Sequence, residues 1–213
     1  MVRIKICGIT HMDDALMAVD LGADALGFIF ASSPRQITPE CARLIVNGLP
    51  PFIQTVGVFV NESPAMIRDI MAFCGLDMIQ LHGDESPEFC KGLGSVPIKS
   101  FRIRDTESLT PIDRYQGKVR AVLLDTYQSG KHGGTGKAFD WDLALKAKAF
   151  HMPLILSGGL GPSNIERAVA VVAPYAVDVN SGIETTPGKK SAELMEKLMN
   201  KLKSIQVGGV VRG

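Results

Sequence analysis

Net charge is almost absent: 23 Lys and Arg face 22 Asp and Glu, which leaves +1 at pH 7. Such a chain has no broad basic field, so nucleic acid is not an expected partner. A small anion would have to be held locally, by backbone N–H groups and a few side chains. Cysteine is scarce as well. Cys7, Cys41, Cys74 and Cys90 are widely spaced, with no CxxC pair and no Cys/His cluster. That argues against a zinc site and against a disulfide framework. No apolar run reaches membrane-spanning length, and the opening MVRIKICGIT is interrupted by Arg3 and Lys5, unlike a signal peptide. No membrane partner is expected, and cytoplasm is the default compartment.

What is present is enough apolar material for a core: 46% hydrophobic and 21% charged residues. Short β-branched runs alternate with amphipathic segments. Strands are expected at 3–7, 25–30, 53–60, 77–81, 97–101, 120–125, 153–156 and 176–179. Helices are expected between them. The first has Asp13 and Asp14 early, an apolar face of Ala15, Leu16, Val19 and Leu21, and Gly22 at its end. Thr38-Pro39, Ser63-Pro64 and Ser86-Pro87 read as helix starts. A weak helix is expected near 108–115, others near 140–150 and 162–172, and a last one over 191–204. Strands this apolar are buried on both faces, which implies a parallel sheet. Eight strand–helix units about 25 residues apart fit an α/β chain folded as a single-domain (β/α)8 TIM barrel over 1–205, with a mobile tail at 206–213. An open doubly wound sheet is the rival, but Cys7-Gly8-Ile9-Thr10 after the first strand supplies no GxGxxG.

In a barrel the chemistry lies where the strands end. The polar residues there are Lys5, Cys7, Arg35, His82, Asp125, Ser157 and Asp178. Strand seven runs into Ser157, Gly158 and Gly159, and strand eight into Asn180, Ser181 and Gly182. Two glycine loops in these consecutive positions point to a phosphate site, although glycines also serve simple tight turns. Cys7 is either a small buried hydrophobe or a base, with Lys5 and Arg35 as candidate cations to favour its thiolate. Asp125 follows a strongly apolar strand and is either a cap or an acid–base group facing a polar mouth. The loop 129–137 (SGKHGGTGK) is long enough to close over a ligand. Arg35 either forks a carboxylate or lies on the surface. His82 is a ligand contact or a turn residue, and Asp178 orients a hydroxyl or bonds backbone. Cys41, Cys74 and Cys90 read as packing. His11, His132 and His151 read as solvent-facing, and Lys189-Lys190 as a solvated helix start.

The run 5–10 (KICGIT) resembles the opening signature of the phosphoribosylanthranilate isomerase family. So do 25–30 (ALGFIF), Ser33-Pro34-Arg35, 56–61 (VGVFVN), 80–83 (QLHG), 123–126 (LLDT), 134–141 (GTGKAFDW), 156–160 (LSGGL), 177–184 (VDVNSGIE) and Pro187-Gly188-Lys189. The resemblance runs up to Leu202. It departs at Asn180, where the family frequently has serine. It implies an aldose–ketose isomerase of tryptophan biosynthesis that converts N-(5-phosphoribosyl)anthranilate by an Amadori rearrangement, with neither metal nor organic cofactor. By the same resemblance Cys7 is the general base and Asp125 the general acid. Arg35 contacts the anthranilate carboxylate, while Lys5, His82 and Asp178 line the substrate site. Gly158, Gly159, Asn180, Ser181 and Gly182 hold the phosphate. The chain would act as a monomer or a homodimer.

The rivals are other uses of the same barrel. A histidine-pathway aminoaldose isomerase would show two aspartates and a half-chain repeat, where this chain has Cys7 and no clear repeat. A ribulose-phosphate epimerase would want a metal-ligand cluster. A phosphate-binding barrel without turnover would not need both Cys7 and Asp125.

Overall fold

Strand residues of this chain alternate between two buried environments, and a sheet with two buried faces must either be covered on both sides or close on itself. It closes. In the computed structural model, which describes residues 2–126 and 141–208, eight parallel strands form a barrel in chain order. They are β1 (Arg3–Ile6), β2 (Ala25–Ile29), β3 (Gln54–Phe59), β4 (Met78–Leu81), β5 (Ile98–Ile103), β6 (Ala121–Thr126), β7 (Leu154–Leu156) and β8 (Ala176–Val179). β1 pairs with β8 and sets Lys5 beside Asp178. The outward residues, among them Ile4, Ile6, Leu26, Phe28, Val122, Leu124, Leu156 and Val177, meet the helices in the main core. The inward residues Ile98, Ala121, Leu123, Ile155 and Ala176 make a second, smaller cluster. Above it the buried polar side chains Lys5, Gln80, Ser100, Ser157 and Asp178 occupy the inward positions nearer the strand ends. Period-two alternation therefore builds an apolar floor and a polar upper layer from the same strands. At the other end a cavity of about 320 Å³ is lined by Val56, Met78, Ile98 and Ile155, with Arg3 and Arg120 also on its wall.

The helices are α1 (Met12–Leu21), α2 (Pro39–Asn47), α3 (Pro64–Cys74), α4 (Pro87–Gly92), α5 (Trp141–Ala147), α6 (Ile165–Val172) and α7 (Ala192–Gly208). Three begin alike. The hydroxyls of Thr38, Ser63 and Ser86 accept from the N–H of Cys41, Met66 and Phe89, and a proline follows each cap. Proline at that position forfeits an N–H that had no helical partner anyway. Gly22 ends α1 at φ 103°, a left-handed conformation that costs glycine little.

Several expectations need correction. The segment near 108–115 is a 3₁₀ helix, Glu107–Tyr115, with Pro111 inside it, because an internal proline removes an α-helical hydrogen bond and clashes with the preceding turn. Leu16 is exposed, and α1 instead buries Asp14, Ala15 and Ala18. Cys41 is exposed too, whereas Cys74 and Cys90 are buried. Lys189-Lys190 is no helix start. It is β10 (Lys189–Lys190), which pairs antiparallel with β9 (Glu184–Thr186) across Pro187-Gly188. Lys190 is 3% exposed, because its ammonium donates to the Cys7 carbonyl at 2.6 Å and meets Glu184 at 2.9 Å. The last helix continues to Gly208, four residues beyond Ser204. Of the tail expected at 206–213, residues 209–213 lie outside the described residues. So do the glycine-rich loop and His132.

Candidate active site

β1 and β8 carry the centre of the site. Lys5 donates to Asp178 Oδ1 at 2.7 Å, and Ser157 on the loop after β7 donates to Asp178 Oδ2 at 3.2 Å. Both partners of the ion pair are almost fully buried. A buried pair is tolerated when both charges are otherwise satisfied, and removing one partner strands the other. Burial disfavours the Lys5 charge, yet Asp178 and Cys7 outweigh it and hold the ammonium above its ordinary range.

Cys7 lies two residues beyond Lys5, on the same side of the chain, and is itself buried. Burial pushes its thiol up. The neighbouring Lys5 ammonium pulls the other way, Asp178 pushes up, and the net displacement is upward. Of the two cations expected near the thiol, Lys5 is the one that draws it down most, with Lys190 adding to the same effect. Space for both groups comes from β2: a Cβ on Gly27 would stand 2.7 Å from Cys7 Sγ and 2.9 Å from Lys5 Nζ.

Asp125, at the end of β6, is half-buried, and its Oδ2 lies 3.2 Å from His82 Nε2. His82 begins the loop after β4, and that loop is stapled from below. Glu85 accepts from the N–H of Asn61 at 2.8 Å and of Gly83 at 3.0 Å, and it pairs with Lys99 at 3.2 Å. Lys99 also donates to the Gly83 carbonyl at 2.7 Å. The pair is buried inside this loop, so the position of His82 is fixed by groups that the solvent does not reach.

Arg35 approaches from the loop after β2. Its guanidinium already forks onto a carboxylate, with Nε 2.9 Å and Nη2 2.7 Å from Glu184 Oε2. Burial disfavours the Glu184 charge, but Arg35 and Lys190 outweigh it and hold the carboxyl below its ordinary value. Lys190 itself is lowered by burial, against the pull of Glu184.

The two glycine loops meet. Gly158 and Gly159 have φ of 87° and 64°, and a Cβ on Gly182 would run into the Leu160 carbonyl. Asn164 clamps the first loop by accepting from Gly161 N at 2.9 Å and donating to Gly159 O at 2.9 Å. Asn180 is partly occupied, since its Oδ1 accepts from Lys190 at 3.0 Å. Ser181 opens a short 3₁₀ turn, Ser181–Ile183.

The strand-end rule thus locates Lys5, Cys7, His82, Asp125, Ser157 and Asp178, and the structure joins Lys5, Cys7, Ser157 and Asp178 in one cluster and His82 with Asp125 in another. Sequence reasoning gave Gly27, Gln80, Glu184 and Lys190 no part in the site, although Lys190 was read as solvated and the others lie within the motifs of the resemblance. Period two offered a signal for Gln80, two residues before His82. Burial of Lys190 depends on partners from three separate segments and left no local trace. Among the described residues no group of three His, Cys, Asp or Glu side chains could hold a metal ion, and no helix is long and apolar enough to cross a membrane.

Known proteins resemble this chain over nearly its whole length. The family described as PRAI, N-(5'phosphoribosyl)anthranilate (PRA) isomerase, matches residues 4–201. An N-(5'-phosphoribosyl)anthranilate isomerase of Geobacter sulfurreducens is 55% identical over 204 residues, 95% of this chain and 99% of that protein. The crystal structure of phosphoribosyl anthranilate isomerase from Thermotoga maritima superposes with a TM-score of 0.89 at 43% identity, covering 96% of this chain and all of the other. A phosphoribosyl anthranilate isomerase in complex with reduced 1-(o-carboxyphenylamino)-1-deoxyribulose 5-phosphate gives 0.87 at 42%, with the same coverage. Monomers generated from the dimeric Thermotoga maritima protein give 0.86 at 40%, again covering 96% and 100%. On sequence and fold together, this chain belongs to the N-(5'-phosphoribosyl)anthranilate isomerase family.

Proposed function

We propose that this chain catalyses the reaction of its family, the Amadori rearrangement of N-(5-phosphoribosyl)anthranilate to 1-(2-carboxyphenylamino)-1-deoxyribulose 5-phosphate, as a step of L-tryptophan biosynthesis. The observation that carries the reading is that one barrel mouth holds a thiol beside an ammonium, Cys7 with Lys5, and a carboxyl tied to an imidazole, Asp125 with His82. The reaction needs one group of each kind.

Asp125 protonates the furanose ring oxygen, and the ring opens to an imine. Cys7, as thiolate, then takes the proton from C2 of the sugar. The resulting enolamine tautomerises to the ketone. Lys5 favours the thiolate, and Asp178 with Ser157 keeps Lys5 in place. Arg35, oriented by Glu184, presents its remaining N–H edge to the anthranilate carboxylate. Backbone N–H groups of Gly158, Gly159, Ser181 and Gly182 receive the phosphate, with the Asn180 side chain at the rim. The proposed setting is the cytoplasm, with the chain as a monomer or a homodimer.

A turnover assay with both aminoaldoses tests the reading. Purified protein should consume N-(5-phosphoribosyl)anthranilate and leave the histidine-pathway aminoaldose largely untouched. Turnover of the second alone would assign the chain to the other isomerase. Tight binding of a product analogue with no turnover of either would make it a binding barrel.

A further inference from the structure

Gln80 is 1% exposed, on the inward side of β4. Its Nε2 lies 3.2 Å from Ser100 Oγ and 3.4 Å from His82 Nδ1. Its Oε1 is buried with no partner among the described residues. The other imidazole nitrogen of His82, Nε2, lies 3.2 Å from Asp125 Oδ2. These contacts form one chain from inside the barrel to its mouth: Ser100, Gln80, His82, Asp125.

We propose that Gln80 is a positioning residue for the acid, holding His82 as the tautomer that carries its proton on Nε2, directed at Asp125. The two hydrogens of the carboxamide nitrogen divide between Ser100 Oγ and His82 Nδ1. A nitrogen that accepts a hydrogen bond carries no hydrogen, so the ring proton of neutral imidazole sits on Nε2. Nε2–H then donates to Asp125 Oδ2, which fixes the carboxyl plane and leaves Oδ1 as the oxygen that carries the transferable proton.

The orphaned Oε1 fits this orientation. Turning the amide over would offer Oε1 to Ser100 and His82 but would bury the NH2 group, with its two donors, where Oε1 now lies. Proteins tolerate an under-satisfied oxygen more readily than orphaned N–H groups. The loop that carries His82 is independently locked by the buried Glu85–Lys99 pair. What Gln80 adds is therefore the direction of the ring proton and not the position of the ring.

The inference rests on Asp125 as the acid, but its first readout does not. Long-range ¹H–¹⁵N correlation of the imidazoles, with His82 assigned by loss of its signals in His82→Asn, reports the tautomer directly. Wild type should show Nε2–H with a bare Nδ1. Gln80→Glu, nearly isosteric but an acceptor, should move the proton onto Nδ1 or charge the ring. Gln80→Met should give a mixture and lower kcat about tenfold, less than the hundredfold to ten-thousandfold that loss of a positioned acid would cost, with a smaller change in KM. An Nδ1–H tautomer in wild type would overturn the proposal. So would an unchanged tautomer in Gln80→Glu. Altered tautomers with unchanged kcat would instead show that the relay exists and that Asp125 is not the acid.

Discussion

Arg35 and Glu184, 149 residues apart, are joined as a fork, with guanidinium nitrogens 2.7 and 2.9 Å from Glu184 Oε2. Half of the arginine's donor edge is thereby committed inside the protein, and the rest is aimed. An arginine held this way loses less freedom when it meets a carboxylate ligand. Arg35→Ala should raise KM for the anthranilate-bearing substrate far more than it lowers kcat. Equal affinity of variant and wild type for a product analogue, measured by calorimetry, would remove the carboxylate clamp from the scheme.

Glu184 gives the same network a pH signature. Its folded carboxyl is held below its ordinary value because Arg35 and Lys190 outweigh burial. A depressed carboxyl contributes stability that is fully present above the unfolded pKa of about 4.3 and is lost as pH falls through the folded value. Glu184→Gln should therefore lower stability near neutrality and flatten its loss on acidification, as followed by urea titration at several pH values. Parallel curves for variant and wild type would contradict the assignment.

Lys5 is expected to act through Cys7. Burial raises the thiol and Lys5 opposes it, so Lys5→Met should push the Cys7 titration further up. The difference in thiolate absorbance between this variant and its Cys7→Ser double mutant would show it. At pH 7 the rate should fall, and the low-pH side of the pH–rate profile should move toward higher pH, because less thiolate is present at each pH below the shifted value. The variant also strands Asp178, at a cost of about 3–5 kcal/mol, so Lys5→Arg, which keeps the charge, is the control for stability.

Gly27 tests packing against chemistry. Its missing Cβ is what lets Cys7 and Lys5 lie over β2. Gly27→Ala should cost about 1–3 kcal/mol as overpacking and reduce kcat by more than the stability loss explains, since the thiol must move. A folded Gly27→Ala protein of normal kcat would show that the thiol has room to spare.

Much of this was legible in the sequence because it is local. Thr38-Pro39, Ser63-Pro64 and Ser86-Pro87 are caps whatever surrounds them, and the apolar strand runs by themselves mark Lys5, Cys7 and Asp125 as strand-end residues. The misread elements depend on distant partners. Lys190 looks like any exposed lysine until Cys7, Asn180 and Glu184 fold around it, and Arg35 looks free until Glu184 claims it. Pro111 was visible and accounts for the 3₁₀ form of its segment, but the burial of Leu109, Ile112 and Tyr115 shows only in the folded barrel.

The most direct measurement is the rate of fluorescence loss from N-(5-phosphoribosyl)anthranilate with wild type, Cys7→Ser and Asp125→Asn, after circular dichroism has shown that all three are folded. Base and acid roles predict rapid loss with wild type and a fall of about a hundredfold to ten-thousandfold in each variant. A near-normal rate in either folded variant would contradict the role given to that residue.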